Sequence, residues 1–94
     1  MALRIAWSQP AVHDLEAIFA FIAEDSPAYA STVIRNLVHR TRNLAKFPRS
    51  GRRVPEFDDE NIREVIVYGY RLIYHLQIET VLIVAVIHGK RILR

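Results

Sequence analysis

The last third of the chain, residues 62–91, constrains the fold most, because it reads as three consecutive strands joined by two short connections. The connections are predicted at Tyr68-Gly69 and at the polar pair Glu79-Thr80. The third strand, residues 81–87, consists of seven apolar residues in a row, most of them β-branched. Such a strand must lie centrally in a sheet or be covered on both faces. The sequence therefore predicts an antiparallel meander that needs a cover.

The residues before the meander can form that cover. After a short strand candidate at residues 3–7, Ser8 can cap a helix whose apolar side chains recur at helical spacing over residues 11–24. Asp25-Ser26-Pro27 ends this helix and begins a second one, which runs to about Phe47. So short a turn makes the helices antiparallel. We expect a helical hairpin, with its aromatic side chains in the core, on one face of the sheet.

The resulting element order is β-α-α-β-β-β. It predicts an α+β fold of two layers, in which the helical hairpin packs on an antiparallel-rich sheet and the other sheet face stays open. With 94 residues and 51% hydrophobic content, the chain is expected to form one domain over residues 1–94. The irregular segment 48–61 changes from basic to acidic along its length, and loops this long are often functional.

The composition indicates the cellular compartment of the chain and the chemistry of its binding partners. The chain has no Cys, its first residues lack the apolar core of a signal peptide, and no apolar run approaches the roughly 20 residues that span a bilayer. We therefore expect a cytoplasmic protein without membrane contact. Eleven of the 13 Lys and Arg residues are Arg, and the net charge is +3, which favours recognition of phosphate or carboxylate groups. Histidine spacing and the absence of a glycine-rich phosphate loop predict no metal and no cofactor.

Motifs spread over nearly the whole chain resemble those of a known family. They include Leu44 with Phe47-Pro48, the pair Gly51-Arg52, Tyr70-Arg71 and the closing VIHGKR of residues 86–91. In these motifs, taken together and in order, the sequence resembles the RelE/ParE superfamily of type II toxin–antitoxin toxins, and its ParE branch in particular. The resemblance implies a RelE/ParE-like fold, a cognate antitoxin from the same operon, ParD-like or of another class, and DNA gyrase as the target.

A second activity stays open, because the resemblance also includes RelE-type toxins, which cut mRNA on the ribosome. Cleavage without a metal needs a general base, a general acid and cations around the phosphorane. The resemblance implies that RelE-like enzymes cleave with several Lys and Arg residues and a Tyr near the C-terminus. This chain has two Lys and no Tyr after Tyr74. The set that could still serve a nuclease comprises His88, Arg63, Arg71, Glu64 and Arg91. Arg63 and Arg71 would share a sheet face if the Tyr68-Gly69 turn is tight.

The missing lysines and tyrosine favour a toxin that acts by binding, inhibiting gyrase rather than cleaving RNA. Such a toxin needs a contact surface and no proton transfer. The residues predicted to form that surface are His88, Lys90, Arg91, Arg94, Arg49, Arg52 and Arg53. In a third hypothesis the chain has the fold of these toxins but not their activity and is an inactive binding module.

Overall fold

The computed structural model describes residues 2–89, which form two helices on one face of a five-stranded sheet. The elements are β1 (Arg4–Trp7), α1 (Gln9–Ala23), α2 (Pro27–Lys46), β2 (Arg52–Arg53), β3 (Ile62–Val67), β4 (Tyr70–Leu76) and β5 (Thr80–His88). The strand order is β1-β5-β4-β3-β2, with β1 parallel to β5 and the other neighbours antiparallel. The predicted two-layer α+β fold is confirmed, with the short strand β2 as an addition inside the irregular segment.

Both helices begin where the local sequence predicts. The Ser8 Oγ accepts a hydrogen bond from the Ala11 N–H at 3.2 Å, and the Ser26 Oγ accepts one from the Tyr29 N–H at 3.1 Å. A proline follows each cap in the first turn of its helix, where the missing N–H costs little. The observed helix bounds lie within two residues of the predicted ones. Neither helix of residues 2–89 combines the length and apolarity that crossing a membrane requires.

The main core lies between the helical hairpin and the sheet. Its buried members come from both helices and from the three long strands: Ala11, Ile18, Val33, Leu37, Leu44, Val65, Leu72, Tyr74, Val81, Ile83 and Val86. Burying an aliphatic or aromatic side chain of this size contributes about 1.5–3 kcal/mol to stability. This core fixes which sheet face each strand residue occupies, since successive residues of a strand point to opposite faces.

The two connections of the meander differ in how well the sequence predicts them. Tyr68 has φ of 53° and Gly69 has φ of 78°, so both adopt the left-handed backbone that a two-residue type I′ hairpin turn requires. The tight connection predicted there is confirmed. The other connection comprises residues 77–79, closed by a 2.8 Å hydrogen bond from the Gln77 N–H to the Thr80 carbonyl. Thr80, predicted in that connection, is already the first residue of β5.

A β-bulge in the central strand β5 is tied to the beginning of α1. Val84 has no partner residue in β4, which is the signature of the bulge. The Ser8 Oγ donates to the Val84 carbonyl at 3.4 Å, and the Asp14 carboxylate accepts from the Val86 N–H at 2.9 Å. These contacts satisfy backbone groups that the sheet ladder leaves without partners. They also fix the first turns of α1 over β5.

The outer face of the sheet, away from the helices, is partly covered by the irregular segment. Val54 is fully buried and packs with Ile73 and Ile87 in a second, smaller apolar cluster. The sequence predicted this face to be open. It is covered in part because Val54 packs over Ile73 of β4 and Ile87 of β5.

Candidate functional site

An ion-pair network lies on the outer face of β3 and β4. The Arg71 Nε donates to Glu64 Oε1 at 2.6 Å, and its Nη1 and Nη2 each donate to a carboxylate oxygen of Glu56 at 2.7 Å. The second oxygen of Glu64 accepts from the Arg52 Nε at 2.6 Å. The side chain of Glu64 is 0% exposed and that of Arg71 is 5% exposed. Within residues 2–89 the network contains two guanidinium groups and two carboxylates, so these charges balance.

The carboxylates of Glu56 and Glu64 stabilise the protonated, charged form of Arg71. The hydrogen bond to the Glu56 carboxylate raises the pKa of Arg71 above its ordinary value, and that to Glu64 adds to the effect, although burial acts in the opposite direction. Bidentate arginine–carboxylate pairs are among the strongest hydrogen-bonded contacts in proteins. All three nitrogens of this guanidinium therefore already bind carboxylate oxygens, and a phosphate would have to displace one of them.

Arg63 lies on the opposite face of the sheet from Arg71, which corrects the shared face expected from the sequence. The register pairs Arg63 with Tyr74, and it pairs Arg71 with Ile66. The turn is tight, as predicted, but this register places Arg63 on the helix side and Arg71 on the outer side. The Arg63 side chain is held by backbone carbonyls, donating to those of Gly51 and Glu60 at 2.9 Å each.

His88 also lies apart from the network on the outer face. It pairs with Tyr70 at the end of β5, and the two rings meet edge to face with centroids 6.2 Å apart. Tyr70 packs against the main core, so His88 is on the helix side of the sheet. The residues proposed for a nuclease are thus divided between two faces, with Glu64 and Arg71 on one and His88 and Arg63 on the other. Arg91, the fifth member, lies outside the described residues.

The predicted target-contact residues are not gathered in one place. His88 is opposite Tyr70, the first residue of β4. Arg49 lies near the other end of this strand, because its Nη2 donates at 3.5 Å to the side-chain oxygen of Asn61. The backbone carbonyl of Asn61 in turn accepts from the N–H of Leu76, the last residue of β4. The length of β4 separates these positions by roughly 20 Å. Lys90, Arg91 and Arg94 lie outside the described residues.

The two arginines of β2 have opposite environments. Arg52 pairs with Glu64 and takes part in the ion-pair network. Arg53 pairs directly with Arg63 on β3, which places two like charges side by side. Like charges at directly opposed positions of an antiparallel pair are destabilising. None of the ion pairs within residues 2–89 relieves this repulsion, since they join only Arg52 and Arg71 to carboxylates.

The buried hydroxyl of Tyr74 organises the first part of the irregular segment. It accepts from the Gly51 N–H at 3.1 Å and donates to the Pro48 carbonyl at 2.7 Å. Burial raises the pKa of Tyr74, opposed by the hydrogen bond with Gly51 and by the nearby charges of Arg63, Arg40 and Arg49. A Cβ on Gly51 would stand 2.5 Å from the Tyr74 hydroxyl oxygen, so the loop can approach this closely only with glycine. No sequence signal indicated what the Tyr74 hydroxyl binds.

An apolar surface on the solvent side of α1 was not predicted. Residues 17–23 contain no polar side chain, yet Phe21 is 72% exposed, and Phe19 and Val12 are also exposed. The expectation that the helical aromatics are in the core is wrong for Phe19 and Phe21, because the helix has more apolar residues than one face can bury. It is also wrong for Phe47 at the end of α2, which is 65% exposed. Several large apolar side chains exposed on one helix are typical of an interaction site.

The described part of the chain offers no metal site, since no three His, Asp or Glu side chains of residues 2–89 are placed to hold an ion together.

Comparison with known proteins agrees with this architecture. Residues 5–93 match the family described as the ParE toxin of type II toxin–antitoxin system, parDE. A chromosomal ParDE toxin–antitoxin system from P. aeruginosa superposes with a TM-score of 0.78 at 15% identity, covering 95% of this chain and 98% of that one. An arginine-substituted mutant of the E. coli toxin RelE in the free state gives 0.69 at 17% identity, covering 96% and 86%. Curated protein sequences give no match. At these identities the structural likeness shows the fold alone.

Proposed function

The chain belongs to the ParE toxin family of type II toxin–antitoxin systems, and from this membership we propose that it inhibits DNA gyrase and is neutralised by a ParD-like antitoxin. In this proposal the toxin acts by binding and cleaves no RNA. The observation that carries it is the closed ion-pair network on the outer sheet face, where Arg71 is bound by both Glu56 and Glu64.

A nuclease on the outer face would require an open cation for the phosphorane and a base and an acid beside it. Freeing Arg71 would break its ion pairs with Glu56 and Glu64, and breaking a buried ion pair costs about 3–5 kcal/mol. His88, the side chain suited to proton transfer near neutral pH, is on the other face. This division of the groups favours an interaction toxin over a RelE-like nuclease.

The exposed apolar residues of α1 are the proposed binding site of the antitoxin. Val12 and Phe19 are two helical turns apart on one side of α1. Phe21 lies on the opposite side, across the small exposed side chains of Ala17 and Ala20. An amphipathic segment can lay its apolar side chains on such a surface and become ordered as it binds. Covering this surface would also remove an aggregation risk from the free toxin.

The end of the sheet that carries His88 is the proposed contact with gyrase. The Gly89 N–H donates to the Gly69 carbonyl at 2.7 Å, so the chain passes the Tyr68-Gly69 turn as it leaves β5. Lys90, Arg91 and Arg94 follow Gly89 in the sequence. Arg49, Arg52 and Arg53 belong to a separate surface and are secondary candidates for target contact.

Two assays run side by side test the proposal. The purified chain is added to a gyrase supercoiling reaction and to ribosomes translating a defined mRNA. We expect supercoiling to be inhibited, the mRNA to stay intact, and inhibition to be relieved when the antitoxin is added back. Discrete ribosome-dependent cuts in the mRNA would establish the nuclease instead, and no effect in either assay would favour the inactive binding module.

A further inference from the structure

The second helix and the loop after it carry an unbalanced positive charge. Residues 26–55 contain seven Lys and Arg residues and no Asp or Glu. Solvent-exposed helices commonly pair acids with bases three or four residues apart, and α2 has no acid with which to do so. The acidic residues lie instead on and after α1, in the second half of the irregular segment, and on β3 and the β4–β5 connection.

Three of these cations and one histidine form a single line along α2. Arg35, His39, Arg42 and Lys46 follow each other at steps of four, three and four residues, and all four are exposed. At 3.6 residues per turn these steps keep the side chains on one face, and the line is about 16 Å long. We call this line the α2 cationic stripe.

The stripe lies opposite the core and is not neutralised by the described residues. The buried face of α2 consists of Ala30, Val33, Leu37, Thr41 and Leu44. Within residues 2–89 the ion pairs are confined to the outer sheet face and the β2 edge, so no cation of α2 takes part in one. The positive potential of the stripe is therefore available to a partner.

We propose that the α2 cationic stripe binds the phosphate backbone of double-stranded nucleic acid without reading its sequence. Duplex DNA carries one phosphate per 3.4 Å on each strand, so a line of about 16 Å passes about five phosphates. Arg35 and Arg42 can each bind a phosphate through two N–H groups, and Lys46 adds a point charge.

The chemistry of the stripe fits nucleic acid better than a protein partner. A stable protein interface needs aromatic or apolar anchors at its centre, where charged residues are depleted. Between Arg35 and Lys46 the exposed residues of α2 are all polar, including Asn36 and Asn43. The apolar surface proposed for the antitoxin is on α1, so both partners can be bound at separate places. This role for α2 does not depend on gyrase being the target.

Salt-dependent DNA binding tests the stripe. Anisotropy of a labelled duplex of about 20 base pairs is titrated with the full-length chain between about 50 and 200 mM salt. We expect the R35Q/R42Q/K46Q triple variant to bind at least about tenfold more weakly at 100 mM salt and to lower the slope of log K against log salt by about 2.7. The unfolding midpoint in urea should not change, since all three side chains are exposed.

Single substitutions provide the matched control. R42Q should reduce the salt slope by about one, whereas R4Q, which removes one exposed charge from the edge strand β1, should leave it unchanged. Equal effects of both substitutions, or a triple variant that binds like the unaltered chain, would overturn the proposal. A triple variant that no longer binds the antitoxin but still binds DNA would also overturn the proposal, because the stripe would then be a protein-binding surface. Failure of the unaltered chain to inhibit gyrase would leave these results intact.

Discussion

Glu64 and Arg71 form a buried ion pair on neighbouring strands, with the Arg71 Nε 2.6 Å from Glu64 Oε1. Arg71 is directly opposite Ile66, so Glu64, two residues before Ile66 on β3, reaches it diagonally. Glu56 closes the other side of the guanidinium from the irregular segment. Within residues 2–89 this arrangement occupies the guanidinium that could have bound a phosphate with two carboxylates.

Replacing Glu64 by Gln should lower the free energy of unfolding by about 3 kcal/mol. The substitution removes one of the two carboxylates that bind the buried Arg71 within residues 2–89, and the expected loss is at the lower end of the cost of breaking a buried ion pair. Urea denaturation measures the change. E60Q, in the exposed part of the irregular segment, is the control and should stay within about 0.5 kcal/mol. A loss below about 1 kcal/mol for E64Q would mean that the network contributes little.

Replacing Arg53 by Thr should stabilise the protein by about 0.2–1 kcal/mol, because it removes a like charge directly opposite Arg63 and adds a β-branched side chain to β2. The neighbouring substitution R52T should act in the opposite direction, since Arg52 is bound to Glu64. Thermal unfolding of both variants at low and high salt measures the effects. The gain from R53T should shrink at high salt as the repulsion is screened; destabilisation at low salt would contradict the expected repulsion.

Stability above pH 10 should depend on Tyr74. Burial raises the pKa of Tyr74 above its ordinary value of 10.0, so the folded state holds the phenol proton more tightly than the unfolded chain does. This contribution to stability is complete below pH 10 and is lost above it, by at most about 1.4 kcal/mol per pH unit. Y74F lacks the titration, so the difference in unfolding free energy between it and the unaltered chain should narrow from pH 9 to pH 11. A difference that is constant with pH would show that Tyr74 ionises equally in both states.

Local chemistry predicts much of this fold, and long-range pairing decides the site. The caps at Ser8 and Ser26 and the turn at Tyr68-Gly69 depend on a few adjacent residues, so their sequence signals are sufficient. Which carboxylates bind Arg71 depends on the β3–β4 register and on how the irregular segment folds over the sheet. The spacing of apolar residues in the sequence specifies neither. Periodicity also cannot tell which apolar residues of α1 a small domain can cover, so it missed the exposure of Phe21.

Neutralising the basic C-terminal residues should weaken gyrase inhibition at least about tenfold, because interface arginines at the centre of a contact often contribute more than 1.4 kcal/mol each. The variant is K90Q/R91Q/R94Q, measured by the concentration that halves supercoiling. R49Q/R53Q is the comparison at the other surface and should change that concentration by less than about threefold. If the second variant loses inhibition and the first keeps it, gyrase contacts the irregular segment instead.

Replacing Phe21 by Ser should weaken antitoxin binding by about 10- to 100-fold without lowering the stability of the free toxin. Phe21 is 72% exposed, so the folded toxin gains little from its burial, whereas an antitoxin that covers it would gain about 1.5–3 kcal/mol. Calorimetric titration of the toxin with its antitoxin measures the affinity. I78S is the matched control, because Ile78 is 95% exposed in the β4–β5 connection, far from the surface of α1. Equal losses for the two variants would indicate a general effect of surface hydrophobicity, and a loss confined to I78S would move the antitoxin to the opposite end of the sheet.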